Sequence, residues 1–317
     1  MLTLTIQRQH VIDSMSALGA KFRSVSLEQE PREVMHKARL LEAGMFASRM
    51  LPRGRAALPR TLAQYLIGDR LYEIGMPGGF KMAWGKGSID MLASLRAGDG
   101  WDDHVRDALL NAMKPGAVLY DIGANAGYMS LSVAKATPGA RIYSFEPIPA
   151  LAASLRASAR ANDFDQLQVV NAALSSTTGM IDLFITANTI HTSMVSRPGK
   201  ATRLPTAAFA MDDLLGAGLL PPPDVIKIDV EGAEMLVFEG AQKTLSEYHP
   251  VLVFECDENT ERFGHSPATV LTMLRGLGYD QFAYCSSKDH QLHPLTDFED
   301  APLGDFVVSR SAPSTAG

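Results

Sequence analysis

The sequence is poor in the features that mark secreted, membrane-spanning and nucleic-acid-binding proteins. Its 317 residues include only two cysteines, Cys256 and Cys285, each inside an apolar run, which argues against a disulfide framework and favours a reducing compartment. No apolar run approaches the ~20 residues that a bilayer span requires. The formal net charge of −6 argues against nucleic acid as a partner. Residues 1–19 show no signal-peptide pattern, so we expect a cytoplasmic protein.

What the chain does contain is enough apolar sequence for a large core, since 46% of its residues are hydrophobic. Residues 1–95 read as a mainly helical N-terminal extension. They include a small hairpin formed by residues 70–74 and 80–84 around a glycine-rich turn. This extension is predicted to act as a lid or as a dimerisation element. Residues 96–310 form the main α/β domain, and residues 311–317 a flexible tail.

From residue 117 onward, apolar strands alternate with helices, which is typical of a parallel sheet covered on both faces. The last two strands have no convincing helix between them and therefore predict an antiparallel edge hairpin. The predicted strands are 117–122, 141–145, 167–171, 225–228, 251–256, 279–284 and 305–308. The predicted helices are 128–135, 150–161, 233–248 and 267–277, with a further strand at 179–185 followed by an irregular stretch to 205.

A glycine-rich turn follows the first of these strands and leads into a helix that begins at Tyr128. Asp121 ends the strand, and Gly123, Asn125 and Gly127 form the turn. Such a turn brings a polar ligand against bare backbone at a helix N-terminus. Asn125 stands where a dinucleotide fingerprint would have its second glycine, and its side chain narrows the room for a pyrophosphate. The turn therefore favours a ligand without phosphate, although a purely structural turn is the alternative.

The next two strands also end in candidate ligand contacts. Glu146 lies about twenty residues after the turn, where nucleoside-binding α/β folds place a carboxylate on the ribose hydroxyls, with a helix-capping carboxylate as the alternative. Pro147 behind it stiffens the loop. Asn171 and Ala172 end the following strand and suit the neighbourhood of an adenine ring, with a simple turn as the alternative.

A second cluster of charged residues lies at the end of the strand 225–228. Lys227, Asp229 and Glu231 are spaced two residues apart, so their side chains lie on one face if the chain stays extended. The carboxyl edge of a parallel sheet is where such folds bind ligands. The alternative is a structural ion pair between Lys227 and Asp229. Glu255 ends the neighbouring strand and has the same two interpretations.

The run from 118 to 255 resembles the FkbM family of S-adenosylmethionine-dependent methyltransferases. The resemblance rests on the segments 121–127, 145–147, 171–174, 211–214, 227–234, 240–241 and 250–255. It implies a class I methyltransferase (Rossmann-like) fold, a mostly parallel seven-stranded sheet with an antiparallel edge hairpin. It also implies O-methylation of a hydroxyl on a sugar or natural-product scaffold. The residues implied in S-adenosylmethionine binding are Asp121, Gly123, Asn125, Gly127, Tyr128, Glu146, Pro147, Asn171 and Ala172.

An alcohol needs to lose a proton to become a good nucleophile, so a base or a metal ion should lie near the methyl group. Asp229 is the first choice for that role and Glu231 the second, with Lys227 stabilising the developing alkoxide. His191, in a polar stretch, is a further candidate base. If a metal is bound, an oxygen-rich site would prefer magnesium or calcium, with Asp229 and Glu255 as the candidate ligands, although no compact ligand spacing demands a metal.

Two other functions remain open from the sequence. One is an NAD(P)-linked oxidoreductase on a similar fold, which Asn125 disfavours. The other is a non-catalytic cofactor-binding module that docks through residues 1–95. In the favoured interpretation, the partner is a small molecule or glycan that bears a hydroxyl, and the N-terminal extension is a candidate surface for homo-oligomers.

Overall fold

The computed structural model describes residues 71–76, 78–85, 102–185, 192–193 and 202–311. The helices in these ranges are α1 (Asp103–Ala112), α2 (Tyr128–Ala136), α3 (Pro149–Ala161), α4 (Met211–Gly216), α5 (Glu234–Glu239), α6 (Gln242–Tyr248), α7 (Glu258–Arg262) and α8 (Pro267–Gly276). The strands are β1 (Tyr72–Gly75), β2 (Lys81–Trp84), β3 (Val118–Ile122), β4 (Arg141–Phe145), β5 (Leu167–Val170), β6 (Ala173–Leu174), β7 (Gly179–Ile185), β8 (Thr192–Ser193), β9 (Thr202–Phe209), β10 (Val225–Ile228), β11 (Val251–Cys256), β12 (Gln281–Cys285), β13 (Leu292–Pro294) and β14 (Gly304–Ser309). None of the helices described here has the length and apolar character of a bilayer span.

The main sheet has the strand order β13-β12-β14-β11-β10-β3-β4-β5. The neighbouring strands β5, β4, β3, β10 and β11 run parallel to one another. At the other edge, β14, β12 and β13 each pair antiparallel with their neighbours. This confirms the predicted class I methyltransferase architecture with an antiparallel edge. The strand number differs from the predicted seven, because the three-residue β13 adds to the edge of β12.

The position of β14 brings a further acidic residue to the edge at which the parallel strands end. This strand lies between β11 and β12 and runs antiparallel to both, with Asp305 opposite Glu255. The start of an antiparallel strand lies at the same edge as the carboxyl ends of the parallel strands beside it. Asp305 therefore joins the edge at which β3, β4, β10 and β11 end.

Both faces of the sheet are buried, which explains the continuous apolar runs of its strands. Alternate residues of one strand contribute to different cores, as for Leu119 and Tyr120 in β3. One face packs against α5, α6 and α8 through residues such as Phe238. The other face packs against α1, α2 and α3, with Leu109 among the contacts.

The predicted hairpin is confirmed as β1 and β2, which pair antiparallel from Tyr72 opposite Trp84. It packs on α3, where the amide of Ala83 donates to the Ser158 Oγ at 2.7 Å. The side chains of Met82 and Trp84 lie in the same core as α1 to α3. The lid or dimerisation role predicted for residues 1–95 stays a prediction, since most of that segment lies outside the described residues.

A second sheet, with the strand order β6-β9-β7-β8, is formed by the chain segments that follow β5 in the sequence. The prediction of a strand at residues 179–185 is confirmed by β7. The prediction of an irregular stretch to residue 205 is wrong in its last part, because β9 begins at Thr202 and contains Pro205. Proline lacks an N–H for the ladder, but β6 pairs with β9 only at Ala208 and Phe209, so Pro205 has an open flank.

The single helix predicted over residues 233–248 is divided into α5 and α6 at Gly240. The backbone at Gly240 is in close contact with the loop after β6. A Cβ built at this position would lie 2.1 Å from the Ser175 carbonyl oxygen. The glycine is therefore needed for close packing, and the helix is interrupted where that packing occurs.

We expect Gly240→Ala to destabilise the protein, although alanine is normally the better helix residue by about 1 kcal/mol. The added methyl group overlaps a backbone oxygen, and such overpacking costs about 1–3 kcal/mol. Urea unfolding measures the change. Gly216→Ala is the matched control, because its Cβ would meet no atom within 4 Å. Equal stability of the two variants would contradict the packing role.

Candidate active site

A cavity of about 340 Å³ opens at the carboxyl edge of the parallel strands. Its walls come from the ends of β3, β4, β10 and β11, the start of α1, and β7 of the second sheet. Among the described residues, its lining includes a single lysine, Lys227, and seven carboxyl groups. These are Asp102, Glu146, Asp229, Glu231, Glu255, Asp257 and Asp305.

The glycine-rich turn has the conformation that its residue types predict. Gly123, Asn125 and Gly127 all have positive φ, at 77°, 52° and 94°. The two glycines also permit close packing: a Cβ at Gly123 would lie 1.8 Å from the Asp229 carbonyl oxygen, and one at Gly127 would lie 2.0 Å from Leu155 Cδ1. Gly123 and Asn125 line the cavity, whereas Gly127 does not.

Asp121 lies behind the cavity wall and is fully buried. Its Oδ2 accepts a hydrogen bond from Ser130 Oγ of α2 at 2.5 Å. Its Oδ1 receives no hydrogen bond from a described residue and lies 3.6 Å from Lys227 Nζ. The structure thus gives this carboxylate supporting contacts with the helix α2 and with the lysine.

Glu146 lines the cavity at the end of β4 and is 4% exposed. Its two carboxylate oxygens accept from the amides of Asn125, at 2.7 Å, and Ile148, at 2.8 Å. Burial raises the pKa of Glu146 to about 7, and the two amide donors oppose that rise. Each oxygen keeps a second lone pair for a ligand hydroxyl.

The remaining residues predicted to bind the cofactor differ in their access to the cavity. Pro147 and Tyr128 line it, and the Tyr128 hydroxyl accepts from Arg106 at 3.0 Å. Asn171 does not line it, because its amide donates to the carbonyl oxygens of Glu146 and Pro147 at 2.8 and 3.0 Å. Ala172 is buried in the core below.

Lys227 and Asp229 form a salt bridge inside the cavity, with Nζ 3.1 Å from Oδ2. Lys227 is 5% exposed and also donates to the Gly123 carbonyl oxygen at 3.3 Å. Burial disfavours the lysine charge, but the attraction of Asp229 and Asp121 outweighs it and keeps the pKa of Lys227 above its ordinary value. Asp229 Oδ1 receives no hydrogen bond from a described residue and stays available to a ligand.

Glu231 does not extend the face formed by Lys227 and Asp229. The strand β10 ends at Ile228, and Glu231 lies in a turn with φ 58°, followed by Gly232 with φ 101°. Its carboxylate accepts from Asn259 Nδ2 at 3.1 Å, although the residue still lines the cavity. The condition of that prediction, an extended chain, is not met. The chain turns at Glu231, which reaches the cavity from the turn and not along the face of the strand.

Glu255 lies at the level of Asp229 on the neighbouring strand, since Ile228 pairs with Phe254. Burial, followed by the charges of Asp229 and Asp305, raises the pKa of Glu255 well above its ordinary value. The predicted magnesium site at Asp229 and Glu255 finds no support. Across the described ranges, no group of three or more His, Cys, Asp or Glu side chains is arranged to hold a metal ion.

Three cavity carboxylates were not predicted from the sequence: Asp102, Asp257 and Asp305. The sequence could have indicated Asp305, because this residue begins the last predicted strand. An antiparallel strand begins at the edge where the parallel strands end. Asp102 precedes α1 with a positive φ of 49°, for which the sequence carries no signal. The predicted base His191 lies outside the described residues.

The residues present fit an adenosyl ligand that carries a positive charge. The cavity volume of about 340 Å³ is within the range of small-molecule sites. Glu146 offers acceptors for ribose hydroxyls at one side, and Ile148 and Leu151 offer apolar wall beside it. The excess of carboxyl groups complements a cation such as a sulfonium and repels a pyrophosphate.

Known proteins with similar sequences are methyltransferases. The hexuronic acid methyltransferase AglP of Haloferax volcanii is 28% identical over 180 residues, which cover 52% of this chain and 66% of the relative, just under two thirds of its length. The 31-O-demethyl-FK506 methyltransferase FkbM of Streptomyces tacrolimicus is 25% identical over 197 residues, covering 53% and 74%.

A solved structure of the methyltransferase FkbM from Methylobacillus flagellatus is 15% identical, with a TM-score of 0.42, and covers 71% of this chain and 60% of that one. The family described as "Methyltransferase FkbM domain" matches residues 121–280, which contain the glycine-rich turn, Glu146, Lys227 and Asp229. Because this match covers just over half of the 317 residues, the chain belongs to the FkbM family of methyltransferases.

Proposed function

We propose that this protein transfers the methyl group of S-adenosylmethionine to a hydroxyl oxygen of a sugar or natural-product scaffold. The observation that carries the proposal is the cavity at the strand ends, where Glu146 and the glycine-rich turn adjoin the Lys227–Asp229 salt bridge. Family membership supports methyl transfer, and the names of the two relatives, a hexuronic acid methyltransferase and a 31-O-demethyl-FK506 methyltransferase, support a sugar or natural-product acceptor.

The donor occupies the half of the cavity that contains Gly123 and Glu146, so the acceptor occupies the half beside Asp229. When bound, S-adenosylmethionine supplies a methyl group made electrophilic by a positively charged sulfur. Asp229 Oδ1 accepts the proton that the acceptor hydroxyl loses. Lys227 holds the other oxygen of Asp229 at 3.1 Å and fixes the orientation of the carboxylate. The walls align the two reactants, which is the larger part of the task in a displacement reaction.

A hydroxyl acceptor suits this cavity better than a carboxylate acceptor. An anionic acceptor would enter a site where carboxyl groups outnumber the one lysine among the described lining residues, even without Glu255, whose raised pKa favours its neutral form. Its own charge would be repelled, since like charges in a cleft of low dielectric constant cost more than in water. An NAD(P) cofactor is disfavoured for the same reason, because it carries a pyrophosphate.

Calorimetric titration with S-adenosylhomocysteine and with NADH tests the identity of the donor. We expect saturable binding of S-adenosylhomocysteine and no binding of NADH. Tight binding of NADH without a response to S-adenosylhomocysteine would overturn the proposal. Mass spectrometry of cellular glycans and small products, with and without the protein, then identifies the acceptor by a mass increase of one CH₂.

The same titration repeated across about pH 6 to 8 tests the role of Glu146. Its pKa of about 7 means that it holds a proton below neutrality, and ribose hydroxyls donate more strongly to the ionised form. The affinity for S-adenosylhomocysteine should therefore rise with pH, by up to about tenfold per pH unit below pH 7. Glu146→Gln cannot ionise and should bind more weakly, with a flatter pH dependence. Identical pH profiles would exclude Glu146 from the ribose contact.

A further inference from the structure

An ion pair between His104 and Asp305 lies beside the cavity, and the proposed reaction does not use it. His104 is in the first turn of α1 and Asp305 is the second residue of β14, so the two are 201 residues apart in the chain. The distance from His104 Nε2 to Asp305 Oδ2 is 2.7 Å. His104 is 6% exposed and does not line the cavity, whereas Asp305 does.

The surroundings of His104 hold its ring in this position. Its carbonyl oxygen accepts from Cys285 Sγ at 3.6 Å, which ties the start of α1 to β12. The hydrogen bond to Asp305 raises the pKa of His104, while burial opposes that rise and Asp102 adds to it. The ring of His290 lies 6.0 Å away, between ring centroids. His104 therefore holds the Asp305 carboxylate by a hydrogen bond from a position outside the cavity lining.

Asp305 lines the cavity, and only one of its two carboxylate oxygens has a hydrogen-bond partner among the described residues. Its Oδ2 is bonded to His104, and Oδ1 receives no hydrogen bond from a described residue. Asp305 is opposite Glu255, and Glu255 is level with Asp229, so the three carboxyl groups follow one another across adjacent strands. Side chains of directly opposed residues lie on the same face of a sheet. Two strand spacings separate Asp229 from Asp305, or about 10 Å between strand axes.

We propose that Asp305 binds a second hydroxyl of the acceptor, and that His104 is a positioning residue that holds Asp305 for this contact. The inference rests on the proposed function, in which the first hydroxyl reacts beside Asp229. It assigns the acceptor to the uncharged compounds with two or more hydroxyls on one ring or chain. A monohydroxyl compound would leave Asp305 Oδ1 without a partner. An anionic one would meet the carboxyl groups of Asp229 and Asp305 on either side of Glu255, whose raised pKa favours its neutral form.

The test uses saturation-transfer NMR on the full chain saturated with S-adenosylhomocysteine. The probes are a panel of methyl hexopyranosides, with cyclohexanol as the monohydroxyl comparison. We expect at least one pyranoside to bind more tightly than cyclohexanol. Asp305→Asn and His104→Phe should each weaken that pyranoside by about ten- to a hundredfold, since each removes a hydrogen bond to a charged group or the support for it.

Three further variants separate positioning from a general structural role. His104→Gln keeps an N–H donor and should recover part of the affinity that His104→Phe loses. The double variant His104→Phe/Asp305→Asn should bind no more weakly than Asp305→Asn, because both changes act through one contact. His290→Gln is the control, since this histidine is 45% exposed, pairs with Asp107 and does not line the cavity.

The outcomes distinguish this inference from the proposed function. Failure of S-adenosylhomocysteine to bind wild-type protein would refute the proposed function itself. Normal binding of S-adenosylhomocysteine, with no preference for pyranosides over cyclohexanol, would overturn the inference alone. So would an unchanged pyranoside affinity in Asp305→Asn. Retained affinity of each variant for S-adenosylhomocysteine shows that the variant is folded.

Discussion

Asp229→Asn should lower turnover by at least about a hundredfold, because a positioned base contributes about 10²- to 10⁴-fold to such a reaction. The amide has nearly the same shape as the carboxylate but cannot take the proton of the acceptor hydroxyl. Binding of S-adenosylhomocysteine, whose sulfur is uncharged, should change little. Release of S-adenosylhomocysteine in the presence of the identified acceptor measures the rate, and calorimetry measures the binding.

Glu231→Gln is the matched comparison, since Glu231 lines the same cavity and was the second choice for the base. Its carboxylate is engaged by Asn259 Nδ2 at 3.1 Å, and its backbone lies in a turn away from the strand. We expect a smaller loss of turnover than in Asp229→Asn. Full activity of Asp229→Asn, or a larger loss in Glu231→Gln, would remove Asp229 from the role of base.

The sequence predicted the parts of the site that are local in the chain. Gly123 and Asn125 have the positive φ angles that their residue types indicate, and Glu146 and Asp229 follow apolar runs that are readable as strands. Ligand contacts of this kind depend on a strand end and the few residues after it. The same reasoning failed at Glu231, where Gly232 was a signal that the chain turns.

The part of the cavity around Asp305 was not predicted, because it depends on contacts between distant segments. Asp305 reaches the site only because β14 inserts between β11 and β12, and His104 reaches Asp305 from the start of α1. Neither side chain stands out in its own segment. Strand order and helix placement are set by packing of the whole domain, which local patterns report poorly.

The sequence indicates Lys227 as a site residue but does not predict how deeply its side chain is buried. An ion pair between Lys227 and Asp229 was the alternative interpretation there, and the structure contains it. It also contains the contact of Lys227 with Asp121 of β3 at 3.6 Å. The hydrogen bond from Lys227 to the Gly123 carbonyl oxygen at 3.3 Å joins the glycine-rich turn to β10. The glycine-rich turn and the candidate base thus share one lysine, so we expect the stability of the site to depend on that residue.

Lys227→Met should destabilise the protein by about 3–5 kcal/mol, as expected when one partner of a buried ion pair is removed. Methionine is close to lysine in length but provides no charge or donor. Asp121 is fully buried, and its Oδ1 has the Lys227 ammonium group as its nearby cation among the described residues. The Gly123 carbonyl oxygen also loses a donor at 3.3 Å. Urea unfolding at neutral pH measures the loss.

Lys243→Met is the control for the same chemical change at the surface, where Lys243 is exposed and we expect a change within about 0.5 kcal/mol. The double variant Lys227→Met/Asp121→Asn should be more stable than Lys227→Met alone, because the buried carboxylate that lost its cation has become neutral. If Lys227→Met cost no more than Lys243→Met, the ammonium group would not be compensating Asp121. The link between the turn and β10 would then depend on the close packing of Gly123 against the Asp229 backbone instead.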